Sequence, residues 1–123
     1  MNKLKTYSDI AEYSEVLGAS QYRLIQLLIA RLIKDINQAK IAIEANDIPK
    51  KCRCISSAGN ITSYLRECLN LKAHDTLPKK LDGIYEHLEY KLFIANSKNS
   101  IDTLSECLVI ADNIKAWWEK VNA

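Results

Sequence analysis

Residues 19–48 read ASQYRLIQLLIARLIKDINQAKIAIEANDI, thirty residues without a glycine or a proline, bracketed by Gly18 and Pro49. Apolar side chains recur along this stretch at intervals of three and four residues, which is the spacing of one face of an α-helix. They are Ile25, Ile29, Leu32, Ile36, Ala39 and Ile43. A helix of this length spans about 40 Å and cannot bury such a face on itself. We therefore expect the other segments to pack against it as a helical bundle.

A second helix is expected to begin at Asp47, whose carboxylate is a favourable N-cap, with Pro49 in its first turn. Proline is well tolerated there because the missing N–H has no partner within the helix. The pattern predicts that this helix ends near residues 72–73. Its expected core face consists of Ile48, Ile55, Ala58, Ile61, Thr62, Leu65 and Leu69.

Two further helices follow, one from Thr76 and Pro78 to residues 96–97, and one from a cap at Asn99 or Ser100 to about residue 121. Their expected core faces are Leu77, Leu81, Ile84, Tyr85, Leu88, Leu92 and Ala95, and Leu104, Cys107, Leu108, Ala111, Ile114, Trp118 and Val121. Short connections make sequential helices antiparallel. The predicted fold is all-α, one domain, with a short N-terminal helical segment (1–18) before an antiparallel four-helix bundle (19–121).

The composition indicates a soluble globular protein. The 123 residues are 48% hydrophobic and 26% charged, which excludes a disordered chain, and they are enough for one core. The net charge of +2 is too small to indicate nucleic acid binding. We see neither a signal peptide nor an apolar run of membrane-spanning length, so a cytoplasmic location without membrane insertion is expected.

The residue types and their spacing give little support for a catalytic site or a metal site. Cys52 and Cys54 resemble half of a metal site, but no second cysteine pair follows, and His74 and His87 stand apart. No nucleophile motif is present, and the Glu-x-x-His spacing of metal sites in bundles is missing. We therefore expect no enzyme activity, no metal and no cofactor, and reduced cysteines.

Two basic clusters lie where helices are expected to begin. Lys50, Lys51 and Arg53 form one cluster, and Lys79 and Lys80 form the other. Both are interpreted as solvated helix ends, because nucleic acid binding would require more positive charge on one face.

Several apolar residues fall outside the four expected core faces. They are Leu27, Ile41, Tyr64, Leu71, Tyr90, Ile94, Val109 and Trp117. Single exposed apolar residues are normal, but same-face pairs of them are typical of a groove for a partner helix. A homodimer interface and a core wider than the helical wheel assumes are the two alternatives.

Five segments in order resemble the FliS family of flagellar export chaperones. Residues 13–20 (YSEVLGAS) are similar to its N-terminal tyrosine and helix entry, and residues 39–43 (AKIAI) to the end of the same helix. The apolar ladder of residues 55–69 fits its second long helix. Residues 84–96 (IYEHLEYKLFIAN) are the most specific match, and residues 104–117 resemble a closing helix that ends in an Ala-Trp pair.

The chain departs from the family pattern near the start of the first long helix. Gln21 stands where the family usually has proline, and Arg23 where it has an acidic residue. Residues 28–31 (LIAR) replace the family's Leu-Tyr-Asp-Gly. The polar Tyr–Asp pair and its contacts are therefore missing, whereas the loss of the glycine favours the helix.

The resemblance implies a cytoplasmic chaperone that binds the disordered C-terminal segment of flagellin, prevents its premature polymerisation and assists its delivery to the export gate. Other flagellar regulators are further partners that it suggests. It also implies that the N-terminal segment acts as a movable cap. The residues expected to form the flagellin groove are Tyr7, Tyr13, Leu24, Leu27, Ile41, Tyr64, Tyr90 and Ile94.

Overall fold

The computed structural model of the protein describes residues 21–69 and 77–121, and within them the chain forms four α-helices. We number them α1 (Gln21–Glu44), α2 (Ile48–Glu67), α3 (Leu77–Lys98) and α4 (Ile101–Val121). The predicted all-α class and four-helix bundle are confirmed. In the part of the chain that the structure describes, no helix is both long and apolar enough to cross a bilayer.

The helices form a ring in which α1 packs on α2, α2 on α3, α3 on α4, and α4 again on α1. Lys51 near the start of α2 is hydrogen bonded to Asn96 near the end of α3. Tyr22 at the start of α1 stacks on Trp118 near the end of α4, with ring centroids 5.5 Å apart. These contacts, with the short connections 45–47 and 99–100, make neighbouring helices antiparallel and place α1 diagonally opposite α3.

The first helix ends at Glu44, so the stretch 19–48 is not one continuous helix as its length and apolar spacing predicted. Asn46 has a φ of 57°, in the left-handed region that closes helices. Its N–H donates to the carbonyl of Ile43, and the Asp47 N–H donates to that of Ala42 at 2.8 Å. The Asp47 carboxylate then accepts from the Lys50 N–H at 3.2 Å, which confirms it as the N-cap of α2.

The connection between α3 and α4 is built in the same way. Asn99 has a φ of 48°, and the Ser100 N–H donates to the carbonyl of Ala95 at 3.1 Å. The Ser100 hydroxyl accepts from the Thr103 N–H at 3.1 Å. Ser100, and not Asn99, is therefore the N-cap of α4.

The second helix is shorter than predicted. It ends at Glu67 and not near residues 72–73. The Cys68 N–H still donates to the carbonyl four residues earlier, at Tyr64, but the Leu69 N–H donates to that of Arg66, only three residues earlier, at 3.0 Å. This tightening of the last turn is typical of a helix C-terminus.

Most described members of the four predicted core faces meet in one apolar cluster. Its most completely buried members include Leu32, Ile36, Ala58, Ile61, Leu88, Leu92, Leu104 and Cys107. Ile48 and Ile84 were expected in the core but are 38% and 43% exposed. Ile48 is the first residue of α2, at the end of the bundle, and Ile84 borders a gap between α3 and α4.

Lys51 is also placed differently from the prediction of a solvated helix end. It is only 4% exposed, and its ammonium donates to the carbonyl and to the side-chain oxygen of Asn96, at 3.0 and 2.8 Å. A buried charge needs such partners because desolvation is otherwise unfavourable. Asp35 is buried as well, and it accepts hydrogen bonds from Arg31 and Ser57.

Candidate functional site

A groove of about 800 Å³ runs between α3 and α4. Its lining consists of Lys80, Leu81, Gly83, Ile84, His87, Ile110, Asn113, Ile114 and Trp117. We call it the α3–α4 groove. Leu81 and Ile114 belong to the buried core, whereas Ile84 is exposed and Ile110 and Trp117 are half-buried. The apolar core therefore continues to the surface at this place.

The spacing of the lining residues explains why the two helices form one groove. On α3, positions 80, 84 and 87 repeat at intervals of four and three residues, and on α4 positions 110, 113 and 117 repeat at three and four. Each helix therefore presents one continuous stripe along the seam. The α3 stripe is about 10 Å long at 1.5 Å per residue, which matches two turns of a helix laid beside it.

An ion pair crosses the seam beyond the His87 end of the groove. The Lys91 ammonium lies 2.6 Å from a carboxylate oxygen of Glu106, and this hydrogen bond raises the pKa of Lys91. Lys91 lies four residues after His87 on the same side of α3. The pair therefore joins α3 to α4 where the apolar lining stops.

The surface of α3 remains apolar beyond the groove. Tyr90 is exposed, as predicted from its position off the core face, and Ile94 is half-buried. Phe93 is 66% exposed and was missed in the sequence analysis. It lies three residues after Tyr90, so the helical wheel places the two rings on one outer surface. Val109 on α4 is exposed as well.

The predicted residues of α1 lie elsewhere. Leu27 and Ile41 are exposed on the outer side of α1, which is diagonal to α3. Leu27 borders a smaller hollow of about 320 Å³ between α1 and α4, together with Ala30, Lys115 and Trp118. We call this the α1–α4 hollow. Leu24 is only 6% exposed and belongs to the core, so little of it is accessible to a partner.

The structure therefore does not gather all the predicted groove residues on one surface. Tyr90 and Ile94 lie on α3, Leu27 and Ile41 on α1, and Tyr64 on α2 is half-buried and packs against the core. Tyr7, Tyr13 and Leu71 lie outside the described residues. Trp117, predicted to lie off the core face, packs partly against the core and lines the α3–α4 groove.

The four cysteines all lie within the described residues, form no disulfide and have different surroundings. Cys107 is fully buried, and burial raises its pKa to about 11. Cys68 is exposed, whereas Cys52 and Cys54 are half-buried. Among residues 21–69 and 77–121, no three histidine, cysteine or acidic side chains come together in a way that could hold a metal ion.

A family model and individual relatives of this chain indicate the same protein family. The sequence model of the family described as flagellar protein FliS matches residues 3–123. The chain is similar to the flagellar secretion chaperone FliSB of Pseudomonas aeruginosa, with 31% identity over 99% of this chain and 97% of that protein. It is also similar to the flagellar secretion chaperone FliS of Vibrio cholerae, with 29% identity over 96% of this chain and 87% of the relative. The chaperone FliS of Salmonella typhimurium is 24% identical over 97% of this chain and 89% of its own length.

Proposed function

This chain belongs to the FliS family of flagellar secretion chaperones, and from that premise we propose that its client is flagellin. It binds the disordered C-terminal segment of flagellin in the cytoplasm. Binding prevents premature polymerisation and keeps the segment ready for delivery to the flagellar export gate. The role is one of binding and release, and it requires no reaction and no cofactor.

The α3–α4 groove is the observation that carries this proposal. It is long enough for two helical turns, and apolar side chains supply most of its lining. A disordered segment that folds on binding loses about 2–5 kcal/mol of its interaction free energy to ordering, so it must bury a large apolar surface. The exposed Tyr90 and the half-buried Ile94 lie on the helical wheel beside Gly83 and His87 and extend that surface along α3.

A second contact area on α1 supports a client that wraps around the bundle. Leu27 at the α1–α4 hollow and Ile84 in the α3–α4 groove lie on opposite sides of α4. One straight helix cannot fill both sites. We infer that successive parts of the segment occupy the groove and the hollow, with Ile41 as a further contact on α1.

The N-terminal residues Tyr7 and Tyr13 have a separate role in this proposal. They occupy part of the groove when flagellin is absent and leave it when the client binds. Replacement of both by serine would then tighten flagellin binding, since the client no longer competes with them. Unchanged affinity would contradict this role.

A polymerisation assay with one matched pair of variants tests the proposed function. Ile84 and Ile48 are similarly exposed, but only Ile84 lines the α3–α4 groove. Light scattering would follow the growth of seeded flagellin filaments in the presence of each purified variant. The wild-type chain and Ile48→Asp should suppress growth, and Ile84→Asp should not.

The size of the effect follows from the burial of one isoleucine. Ile84 is 43% exposed, so burial of the rest of it contributes about 1 kcal/mol, and an unpaired carboxylate buried in its place adds a desolvation penalty; we therefore expect at least about tenfold weaker binding. The melting temperatures of both variants should stay near that of the wild type, because both side chains are exposed. Suppression by Ile84→Asp equal to that of the wild type would refute binding in this groove.

Self-association is the second candidate use of the apolar surface. It is favoured by Tyr90, Phe93 and Val109, which are exposed on the outer surfaces of α3 and α4. A homodimeric interaction module would cover these residues with a second copy. Sedimentation over a range of concentrations separates the two functions, since a monomer leaves this surface accessible to a client.

A further inference from the structure

Gly83 is a glycine that the described fold does not itself require. It lies in the second turn of α3 and lines the α3–α4 groove. A Cβ built at this position would have nothing within 4 Å among the described residues. Its backbone is helical, so neither a turn nor close packing within residues 21–69 and 77–121 accounts for glycine here.

A glycine inside a helix lowers stability relative to alanine, because it has more conformational freedom to lose on folding. It also brings the surface of the helix nearest to the backbone. The distance between two packed helices depends on the side chains at their contact, and it is shortest where those side chains are small. In the α3–α4 groove, Gly83 therefore forms a notch between the larger side chains of Lys80 and His87.

The charge of the lining residues indicates which charge a bound side chain should carry. The nine lining residues include Lys80 but no carboxylate. Lys80 is exposed in the first turns of α3, where the helix dipole adds positive potential. An acidic side chain at this end of the groove would thus be attracted to the protein.

We propose that the α3–α4 groove receives a client helix that crosses α3 at Gly83. The client presents a small residue to the notch, large aliphatic residues to Ile84 and Trp117, and an acidic residue to Lys80. This inference rests on the proposed function, because it specifies the face of the flagellin segment that enters the groove. Gly83 determines how closely that helix approaches, and Lys80 fixes its direction along the groove.

Calorimetric titration of full-length variants tests the proposal, with the purified C-terminal segment of the organism's own flagellin as the probe. The variants are Gly83→Ala, Gly83→Leu and Lys80→Glu. Gly59→Ala is the matched control, because Gly59 lies inside α2, does not line the groove, and a Cβ there also has nothing within 4 Å.

Both alanine variants should raise the melting temperature, since alanine favours the helix. Only Gly83→Ala should also weaken binding, by about tenfold, as expected when an added methyl overpacks a close contact. Gly83→Leu should weaken it further. Lys80→Glu should lower the affinity as well, and added salt should weaken wild-type binding more than it weakens the Lys80→Glu variant.

The outcomes separate this proposal from the function on which it rests. Wild-type affinity in Gly83→Leu would overturn the notch while flagellin binding stands, and wild-type affinity in Lys80→Glu would overturn the acidic contact. A folded wild-type chain that does not bind the segment would refute the proposed function and the notch with it. A change in self-association by Gly83→Leu, with flagellin affinity unchanged, would assign the notch to a second copy and overturn the proposal.

Discussion

At the scale of single residues, Lys51 links distant parts of the chain. Its ammonium lies inside the bundle and donates to two oxygens of Asn96, one on the backbone and one on the side chain. The pair joins the start of α2 to the end of α3, close to the connection that leads into α4. Because the ammonium is shielded from water, its hydrogen bonds to these two oxygens replace the hydration that it loses.

Truncation of Asn96 should destabilise the protein. In Asn96→Ala the ammonium of Lys51 keeps the backbone acceptor but loses the side-chain oxygen at 2.8 Å. An incompletely paired buried donor costs about 1–3 kcal/mol. Unfolding in urea, followed by circular dichroism, should show a reduction of this size in the free energy of unfolding.

Two variants make this prediction specific. Asn37 is an exposed asparagine on α1, and Asn37→Ala should leave stability unchanged or slightly higher. Lys51→Met removes the charge but keeps an apolar stem, so Asn96→Ala should cost less in that background. Equal costs in both backgrounds would show that the pair has no energetic coupling.

Lys51 also shows a limit of sequence reasoning. Its neighbours Lys50 and Arg53 indicated a solvated basic cluster, and nothing nearby in sequence distinguishes Lys51 from them. Its burial depends on Asn96, which is 45 residues away. The composition of a short segment cannot reveal such a partner.

At the scale of helices, the apolar periodicity correctly predicted four helices and most of their core faces, but it placed two of their ends wrongly. Periodicity reports which face is buried and not where the backbone stops being helical. Asn46 ends α1 by adopting a left-handed conformation, and the sequence around it continues the apolar pattern to Ile48. Asparagine adopts this conformation more readily than most residues, so it was the one available signal.

The cap of α4 provides a prediction at this scale. The Ser100 hydroxyl accepts the Thr103 N–H, which otherwise has no partner within the helix. Ser100→Ala should lower the free energy of unfolding by about 1 kcal/mol, whereas Ser100→Asp should keep most of the stability because aspartate is also a good N-cap. Ser97→Ala, an exposed site in the last turn of α3, is the control. A loss no larger in Ser100→Ala than in Ser97→Ala would contradict the capping role.

At the scale of the whole molecule, the sequence predicted that apolar surface is left over but not where it forms a groove. Ile84 was assigned to the core because it lies near the buried face of α3 on the helical wheel. Its exposure depends on the width of the gap that α4 leaves beside it, which no single-helix pattern contains. Leu24 was expected in the flagellin groove from the family resemblance alone, and the packing of α1 against its neighbours buries it.

The arrangement of the ring also limits how a partner binds. The α3–α4 groove and the α1–α4 hollow are separated by α4, so a partner that uses both must pass over that helix. A disordered segment can follow this path, whereas a preformed rigid helix cannot. The distribution of apolar surface is therefore better suited to a client that folds on binding.

The most direct test of this account is a calorimetric titration of the full-length chain with the C-terminal segment of its organism's flagellin, repeated at several temperatures. We predict saturable 1:1 binding with a clearly negative heat-capacity change, because the segment buries apolar surface as it folds. A chain shown to be folded that gives no heat at any of the temperatures would contradict flagellin binding. In that case the exposed apolar surface would serve self-association with a second copy of the chain, or binding of a different client.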